Sequence, residues 1–304
     1  MERIEQIVVA LGSPEGDASL LHYAALLVRL TGAVEVRVVH VAEAAAPAAA
    51  LRERMRRHVA ATVGETAATV ECDVLHGALT DRLLEYVTEF QADLVLIGSK
   101  KHKLGARLAM VAPCSVGVVP DGWPARLSHL LVAVDFSAGA ADTLDWATRI
   151  ASGDPAIRCT ALHVMTPEST EIFAGGESEE AHTLTMRRTI AASDHHGVDV
   201  ASRLATVERG ADVGRRHRFS PAAAIQGTDI AQTILAQAQA AGADAVAIST
   251  RGRSRSAAIL LGSVTEKVIE RATLPVLVWK HGGNLGLTSI LLGRAGRPVE
   301  LSVN

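Results

Sequence analysis

The chain has 304 residues, the length of two ordinary domains. With 48% hydrophobic and 21% charged residues it can bury a full core, which excludes a disordered chain. A net charge of −3 argues against a general polyanion binder, and aromatics at 3% leave little for stacking single-stranded nucleic acid or sugars.

Short β-branched runs alternate with helical patterns. Ile7-Val8-Val9-Ala10-Leu11 reads as a buried strand, Ser19 to Leu30 as a helix, and Val34 to Val39 as a strand again. A helix with a charged face follows from Ala48 to Val63. Then come Val70 to Leu75 (strand), Leu79 to Phe90 (helix), Leu94 to Ile97 (strand) and Val116 to Val119 (strand). After a turn-rich linker, Asp121-Gly122-Trp123-Pro124-Ala125, the pattern starts over. Leu130 to Val134 is a strand, Ala140 to Ile150 a helix, Cys159 to Val164 a strand and Thr183 to Ser193 a helix. Ala245 to Ile248 and Val276 to Val278 are strands on either side of a helix at Val264 to Arg271. Such alternation implies βαβ crossovers and mainly parallel sheets.

Residue-level echoes make this a repeat. Ala92-Asp93-Leu94-Val95-Leu96-Ile97-Gly98-Ser99 matches Ala243-Asp244-Ala245-Val246-Ala247-Ile248-Ser249-Thr250, and the segment from Ala112 to Val119 matches Ala272 to Trp279. Ala92 and Ala112 are 20 positions apart, whereas Ala243 and Ala272 are 29 apart, so the first copy lacks nine residues. Cys72, Cys114 and Cys159 are widely spaced with no CxxC pair, which predicts buried thiols in a reducing compartment. The N-terminus carries no basic region followed by an apolar stretch, and the apolar runs have strand length, so the expectation is a cytoplasmic chain without a membrane span.

Ligands of open α/β sheets sit beyond the carboxyl ends of strands where the strand order reverses. There the second copy runs through Ser249-Thr250-Arg251-Gly252-Arg253-Ser254, and Gly262-Ser263-Val264 opens a helix. Free helix amides and the Ser263 hydroxyl make an anion site, with Arg251, Arg253 and Arg255 adding charge. Ser263-Val264-Thr265-Glu266 also fits a capping box that needs no ligand.

Gly252 to Gly262-Ser263, followed by Val264-Thr265-Glu266-Lys267-Val268 and Leu274-Pro275-Val276-Leu277-Val278, resembles the universal stress protein family, whose ATP-binding members carry Gly-x2-Gly-x9-Gly-Ser/Thr at this place. The resemblance spans residues 3–120 and 127–280. It implies two Rossmann-like repeats, of the adenine nucleotide alpha hydrolase-like type, each with a mainly parallel five-stranded sheet flanked by helices. The expected divisions are 1–124, 125–281 and a tail, 282–304. Carried over, Asp135 contacts a nucleoside and Val164 lies by the adenine, while Gly252, Gly262, Ser263 and Val264 hold ribose and phosphates beside Ser249, Arg251 and Arg253. Ser249 replaces the motif's first glycine. Without the family, Asp135 reads as a turn-forming Asx residue. The implied ligand is ATP, with Mg as companion ion, or ADP or AMP.

The first copy departs further. Leu11 is read as the counterpart of Asp135, Lys101 replaces the second motif glycine, and Lys100 to Lys103 reads as a solvated basic loop. The first copy is therefore expected not to bind ATP. The family also pairs neighbouring domains through their last strands, which predicts Val116–Val119 against Val276–Trp279 as an internal pseudo-dimer, with a homodimer as a further assembly. His195-His196 reads as a surface pair without partners, so no metal is expected. Arg215-Arg216-His217-Arg218 reads as a solvated run, and Leu285, Leu287, Ile290, Leu291 and Leu292 as a stripe docking on the chain's own surface. The expected role is regulatory, through an unidentified protein partner, with at most slow hydrolysis. The alternatives are a nucleotide-free interaction module and an adenylate-forming or phosphate-transferring enzyme of the same broad fold, though Asp135 to Gly139 is not the glycine-rich pyrophosphate loop the latter requires.

Overall fold

The computed structural model describes residues 3–43, 46–64, 66–99, 102–137, 139–165, 179–206, 229–250 and 261–280. The basic run 215–218 and the tail 282–304 lie outside the described residues. The first half is β1 (Gln6–Leu11), α1 (Ala18–Thr31), β2 (Glu35–Ala42), α2 (Ala48–Val63), β3 (Thr69–His76), α3 (Leu79–Glu89), β4 (Leu94–Gly98), α4 (His102–Val111) and β5 (Ser115–Val119). The second is β6 (His129–Ala133), α5 (Ala140–Ala151), β7 (Arg158–Met165), α6 (Glu179–Ala192), β8 (Val200–Thr206), α7 (Ile230–Ala240), β9 (Ala245–Ser249), α8 (Ser263–Arg271) and β10 (Val276–Trp279). Residues 102 and 103, expected in a loop, open α4: small apolar residues at Ala106 and Ala109 with Leu108 give this helix a buried face despite its basic start.

The strands form one ten-stranded sheet in the order β3-β2-β1-β4-β5-β10-β9-β6-β7-β8. Neighbouring strands are parallel except β5 and β10. Helices cover both faces, so the central strands are apolar on both sides rather than alternating. Ile7 and Val9 face one core with Leu27, Met55, Trp146 and Met186, while Val8 faces the other with Leu83, Leu108, Ile234 and Val268. Helix α1 shows the local logic. Leu20, Ala24, Leu27 and Val28 form its buried stripe, and Gly32 at φ 70° stops it by donating its N–H to the Val28 carbonyl.

Strands β5 and β10 run antiparallel, with Val118 opposite Val276, Gly117 opposite Leu277 and Val116 opposite Val278, so the expected internal pseudo-dimer is present. Gly117 leaves the room that Leu96 and Leu277 occupy; a Cβ there would lie 3.3 Å from Leu277 Cδ2. On one face Gly105 of α4 brings that helix against α8, its Cβ position lying 3.2 Å from Ile269 Cγ2. On the other, Gly153 lies against the Leu30 backbone at the end of α1. Lys280, only 8% exposed, reaches from the second half into the first. Its Nζ donates to the carbonyls of Met110 at 3.1 Å, Ala109 at 3.5 Å and Ala112, capping the negative end of α4.

Each half also pins its first strand with the aspartate of the repeated Ala-Asp motif. Asp93 Oδ2 accepts the N–H groups of Glu5 at 2.7 Å and Gln6 at 2.8 Å. Asp244 Oδ2 accepts those of Ser128 at 2.8 Å and His129 at 3.2 Å, together with the Ser128 hydroxyl at 2.5 Å. Burial works against the Asp244 charge, but the Ser128 hydrogen bonds and Arg126 outweigh it and hold the carboxyl below its ordinary value. The three cysteines are buried and free, and burial pushes the thiols of Cys114 and Cys159 up to about 12. Among the described residues no helix is long and apolar enough to cross a membrane.

Two predictions concern this frame. A carboxyl whose folded pKa is depressed stabilises the fold above its unfolded pKa and loses that contribution as pH falls. The urea midpoint should therefore drop as pH is lowered from about 5 to about 3, and Asp244→Asn should flatten that dependence while costing about 2–4 kcal/mol at neutral pH. Lys280→Met should cost about 2 kcal/mol by leaving the α4 carbonyls uncapped, read as a lower unfolding midpoint.

Candidate functional site

The strand order of the second half reverses between β6 and β9, whose parallel register sets Val132 beside Ala247. The chain leaves both strands at the same edge, which forms the mouth of a crevice. Asp135 follows β6, and its Oδ1 accepts the Ser137 N–H at 3.0 Å, an Asx turn. Val164 is buried near the end of β7, within the core that α7 and α8 cover. Ser249 ends β9 beside Trp279, and its carbonyl accepts the Thr265 hydroxyl at 2.8 Å. Thr250 donates its N–H to Trp279 O at 3.0 Å and accepts that of Gly262 at 2.8 Å. Arg251, Gly252 and Arg253 lie outside the described residues.

The capping box does not form. Gly262, not Ser263, is the N-cap of α8, at φ −69° and ψ 140°, and among the described residues no side chain caps the helix. Glycine supplies no oxygen, so Ser263 becomes an exposed first-turn residue next to Val264. An uncapped helix start at a switch point has amides directed toward the mouth, with the positive end of the macrodipole behind them.

Behind Asp135 stands a stack that sequence reasoning missed. Phe136 adopts φ 59° and lays its ring on His163, with centroids 3.8 Å apart and planes at 25°. His182 of α6 continues the series, 5.7 Å from His163 and at 24° to it. His163 Nδ1–H donates to the Val134 carbonyl at 2.9 Å, and in the first half His40 donates to the Leu11 carbonyl at 3.1 Å. The His-Val pairs at 40–41 and 163–164 are a repeat signal visible in the sequence.

That equivalence corrects one alignment. Ile7 pairs with Leu94 and Leu130 with Ala245, so Gly12, not Leu11, stands where Asp135 stands. A buried strand run gives no internal register mark, so the sequence alone leaves this counterpart ambiguous by one position. The mouth of the first half is filled from within. Asp17, at φ 59°, accepts the Gly12 N–H on Oδ2 at 2.9 Å. A Cβ on Gly98 would meet Asp121 Oδ1 at 3.7 Å and Asp17 Oδ1 at 3.8 Å. Gly122 donates to the Ser19 hydroxyl at 3.0 Å, holding the linker over the start of α1. Two carboxylates thus stand where an anion would have to enter.

Beside the second mouth, across the seam, an open cleft of about 560 Å³ is lined by Trp146, Trp279, Lys280, Asp93, Cys114 and Arg3 among others. His196, expected to lack partners, has two: its Nε2 lies 2.8 Å from Asp145 Oδ1 and its Nδ1 3.5 Å from Asp194 Oδ2. Asp145 is 49 residues or more from either, so only the packing of α5 against the turn after α6 reveals the cluster.

Comparison with known proteins places this architecture. A universal stress protein from Archaeoglobus fulgidus DSM 4304 is 17% identical, covering 92% of this chain and 97% of that one, with a TM-score of 0.61. A Pseudomonas aeruginosa PAO1 protein of unknown function is 16% identical, with coverage of 96% and 98% and a TM-score of 0.65. A universal stress protein solved in complex with cAMP covers 40% of this chain at 20% identity, with 100% of its own length matched and a TM-score of 0.33. No curated protein matches the chain. The model of the universal stress protein family matches residues 3–120 and again 127–280, and the chain therefore belongs to the universal stress protein family, with two copies of its domain in one polypeptide.

Proposed function

We propose that the protein is an adenine-nucleotide-binding regulatory protein with a single site, at the mouth of the second repeat. The observation that carries this reading is the contrast between the two mouths. The second has an uncapped helix start at Gly262, whereas the first is filled by Asp17 and Asp121. A polyphosphate needs the amides and dipole of the former and is repelled by the carboxylates of the latter. Gly262, Ser263 and Val264 would hold phosphates and ribose with Arg251, Gly252 and Arg253, and Ser249 would border them. Asp135 would accept hydrogen bonds from the nucleoside sugar, and Val164 would pack by the adenine. The ligand is ATP, with Mg²⁺ neutralising its phosphates, or ADP or AMP.

Among the described residues this mouth brings together no nucleophile with an adjacent base, so the role is binding with at most slow hydrolysis. Occupancy would bias the segment between Thr250 and Gly262, and a protein partner would read that change.

A second reading has its own support. Asp135 already accepts from Ser137, Thr265 already donates to Ser249, and Ser249 carries a Cβ where the family's motif has glycine. These contacts suit a nucleotide-free interaction module.

Two measurements separate the readings. Denaturing the purified protein and separating the supernatant should release an adenine nucleotide, and calorimetry on the emptied protein should show one site per chain. Absence of both would leave the interaction module. Gly262→Val keeps an allowed backbone, since φ −69° and ψ 140° suit valine, yet puts two methyl groups at the helix start. It should weaken binding by at least about tenfold, equivalent to about 1.4 kcal/mol, with the unfolding midpoint little changed. Unchanged affinity would refute the assignment of this helix start to phosphate.

A further inference from the structure

We propose that His196, Asp145 and Asp194 bind a divalent transition cation of the zinc class, at a second site remote from the nucleotide mouth. The turn that carries His196 leads into β8, at the edge of the second repeat opposite Asp135. One imidazole nitrogen and two carboxylate oxygens, one ligand atom from each residue, lie within 4.8 Å of one another. This is a mixed nitrogen and oxygen donor set. Imidazole with carboxylates suits zinc, whereas calcium and magnesium favour all-oxygen shells.

The donors are held rather than gathered by chance. Asp145 sits in α5 and is 8% exposed, so its carboxylate is an unusual group to bury. Its Oδ1 meets His196 Nε2 at 2.8 Å, and its Oδ2 has Arg149 at 4.0 Å, too long for a hydrogen bond. The turn is fixed to α5 by the buried Thr148 hydroxyl, which donates to the Asp194 carbonyl at 3.1 Å. Asp194 Oδ1 accepts the His196 N–H at 3.0 Å, and His196 itself is held at φ 49°. His195 turns away, its Nε2 donating to the Ile190 carbonyl.

A tetrahedral ion with bonds of about 2.0–2.1 Å needs its ligand atoms about 3.3 Å apart, so the His196–Asp145 pair opens from 2.8 Å. The exposed Asp194 carboxylate releases the His196 N–H and swings from the Nδ1 side of the ring to the ion. Asp194 is 74% exposed along its side chain, so water has room for the fourth position. His196 also lines an open cleft of about 510 Å³ with Arg158, Thr160 and Asp199, which gives a hydrated ion its way in. On binding, the ion takes Nε2 of the neutral imidazole, the ring's proton then resides on Nδ1, and Arg149 stays near the outer Asp145 oxygen. Two carboxylates and Arg149 leave a net charge of −1 before the ion enters.

The test uses the full chain stripped of metal with a chelator, titrated with Zn²⁺ by calorimetry and with Co²⁺ by visible absorption. One equivalent should bind, with a cobalt d–d band and a rise in unfolding temperature. Asp194→Ala removes an exposed ligand without threatening the fold, and should weaken Zn²⁺ binding at least about tenfold. His196→Asn should abolish the cobalt band, while His195→Asn should leave both readouts unchanged. Absence of a stoichiometric site in the wild-type chain would overturn the proposal. So would a site that survives both Asp194→Ala and His196→Asn. Nucleotide binding is measured separately and need not change, so either proposal can fail alone.

Discussion

Everything in this molecule is organised by the antiparallel pairing of β5 with β10. Each repeat alone would expose a short, largely apolar edge strand, an arrangement prone to unwanted pairing. Joining the edges satisfies both backbones and merges two parallel sheets into one. The antiparallel sense has a geometric consequence. Carboxyl ends of the first repeat's strands lie along one margin of the sheet, and those of the second along the other. The two crevices therefore face opposite ways and cannot share a ligand. A change at one crevice leaves the other intact, so the repeats can differ while the seam holds them together.

What divergence kept and what it changed follow from this. The aspartate clamps at Asp93 and Asp244 and the paired histidines at His40 and His163 recur because they fix strands to strands, a need both halves share. The mouths bear no such load. Gly12 replaces the position of Asp135, Asp17 turns inward, and α4 begins four residues after β4, whereas α8 begins fourteen after β9. The shorter connection leads into α4 without the Gly-Ser pair that opens α8, and Asp17 and Asp121 stand at that mouth. The seam also became unequal: Lys280 caps α4, while the equivalent position after β5 is Pro120.

Strands buried on both faces announce themselves in sequence as unbroken apolar runs, so β1, β4, β6 and β9 were legible, as was the copying of one unit by the other. Elements whose burial depends on a neighbour were not. Helix α4 hides behind a basic start, and β8, the last strand at its edge, has a mixed sequence in which Arg203 and Ser202 interrupt the run. The same reason explains the site. Gly262 and Ser263 were legible as a helix start, but which of them caps it depends on a backbone turn that both choices fit. The Phe136–His163–His182 stack and the Asp145–Asp194–His196 group join residues from different elements, and no spacing within one segment reveals them.

The second mouth is also joined to the seam by an unbroken series of main-chain contacts. Gly262 N–H meets Thr250 O, Thr250 N–H meets Trp279 O, and the next residue, Lys280, carries the ammonium that caps α4. The Gly262–Thr250 bond, at 2.8 Å, holds these two residues together without a ligand. Thr250 and Gly262 are thereby anchored to β10, the strand that both repeats depend on. A change in the position of Thr250 or Gly262 bears directly on the end of β10, and through Lys280 on a helix of the other repeat. A displacement at the second mouth is in this way carried through β10 and Lys280 to a helix of the first repeat.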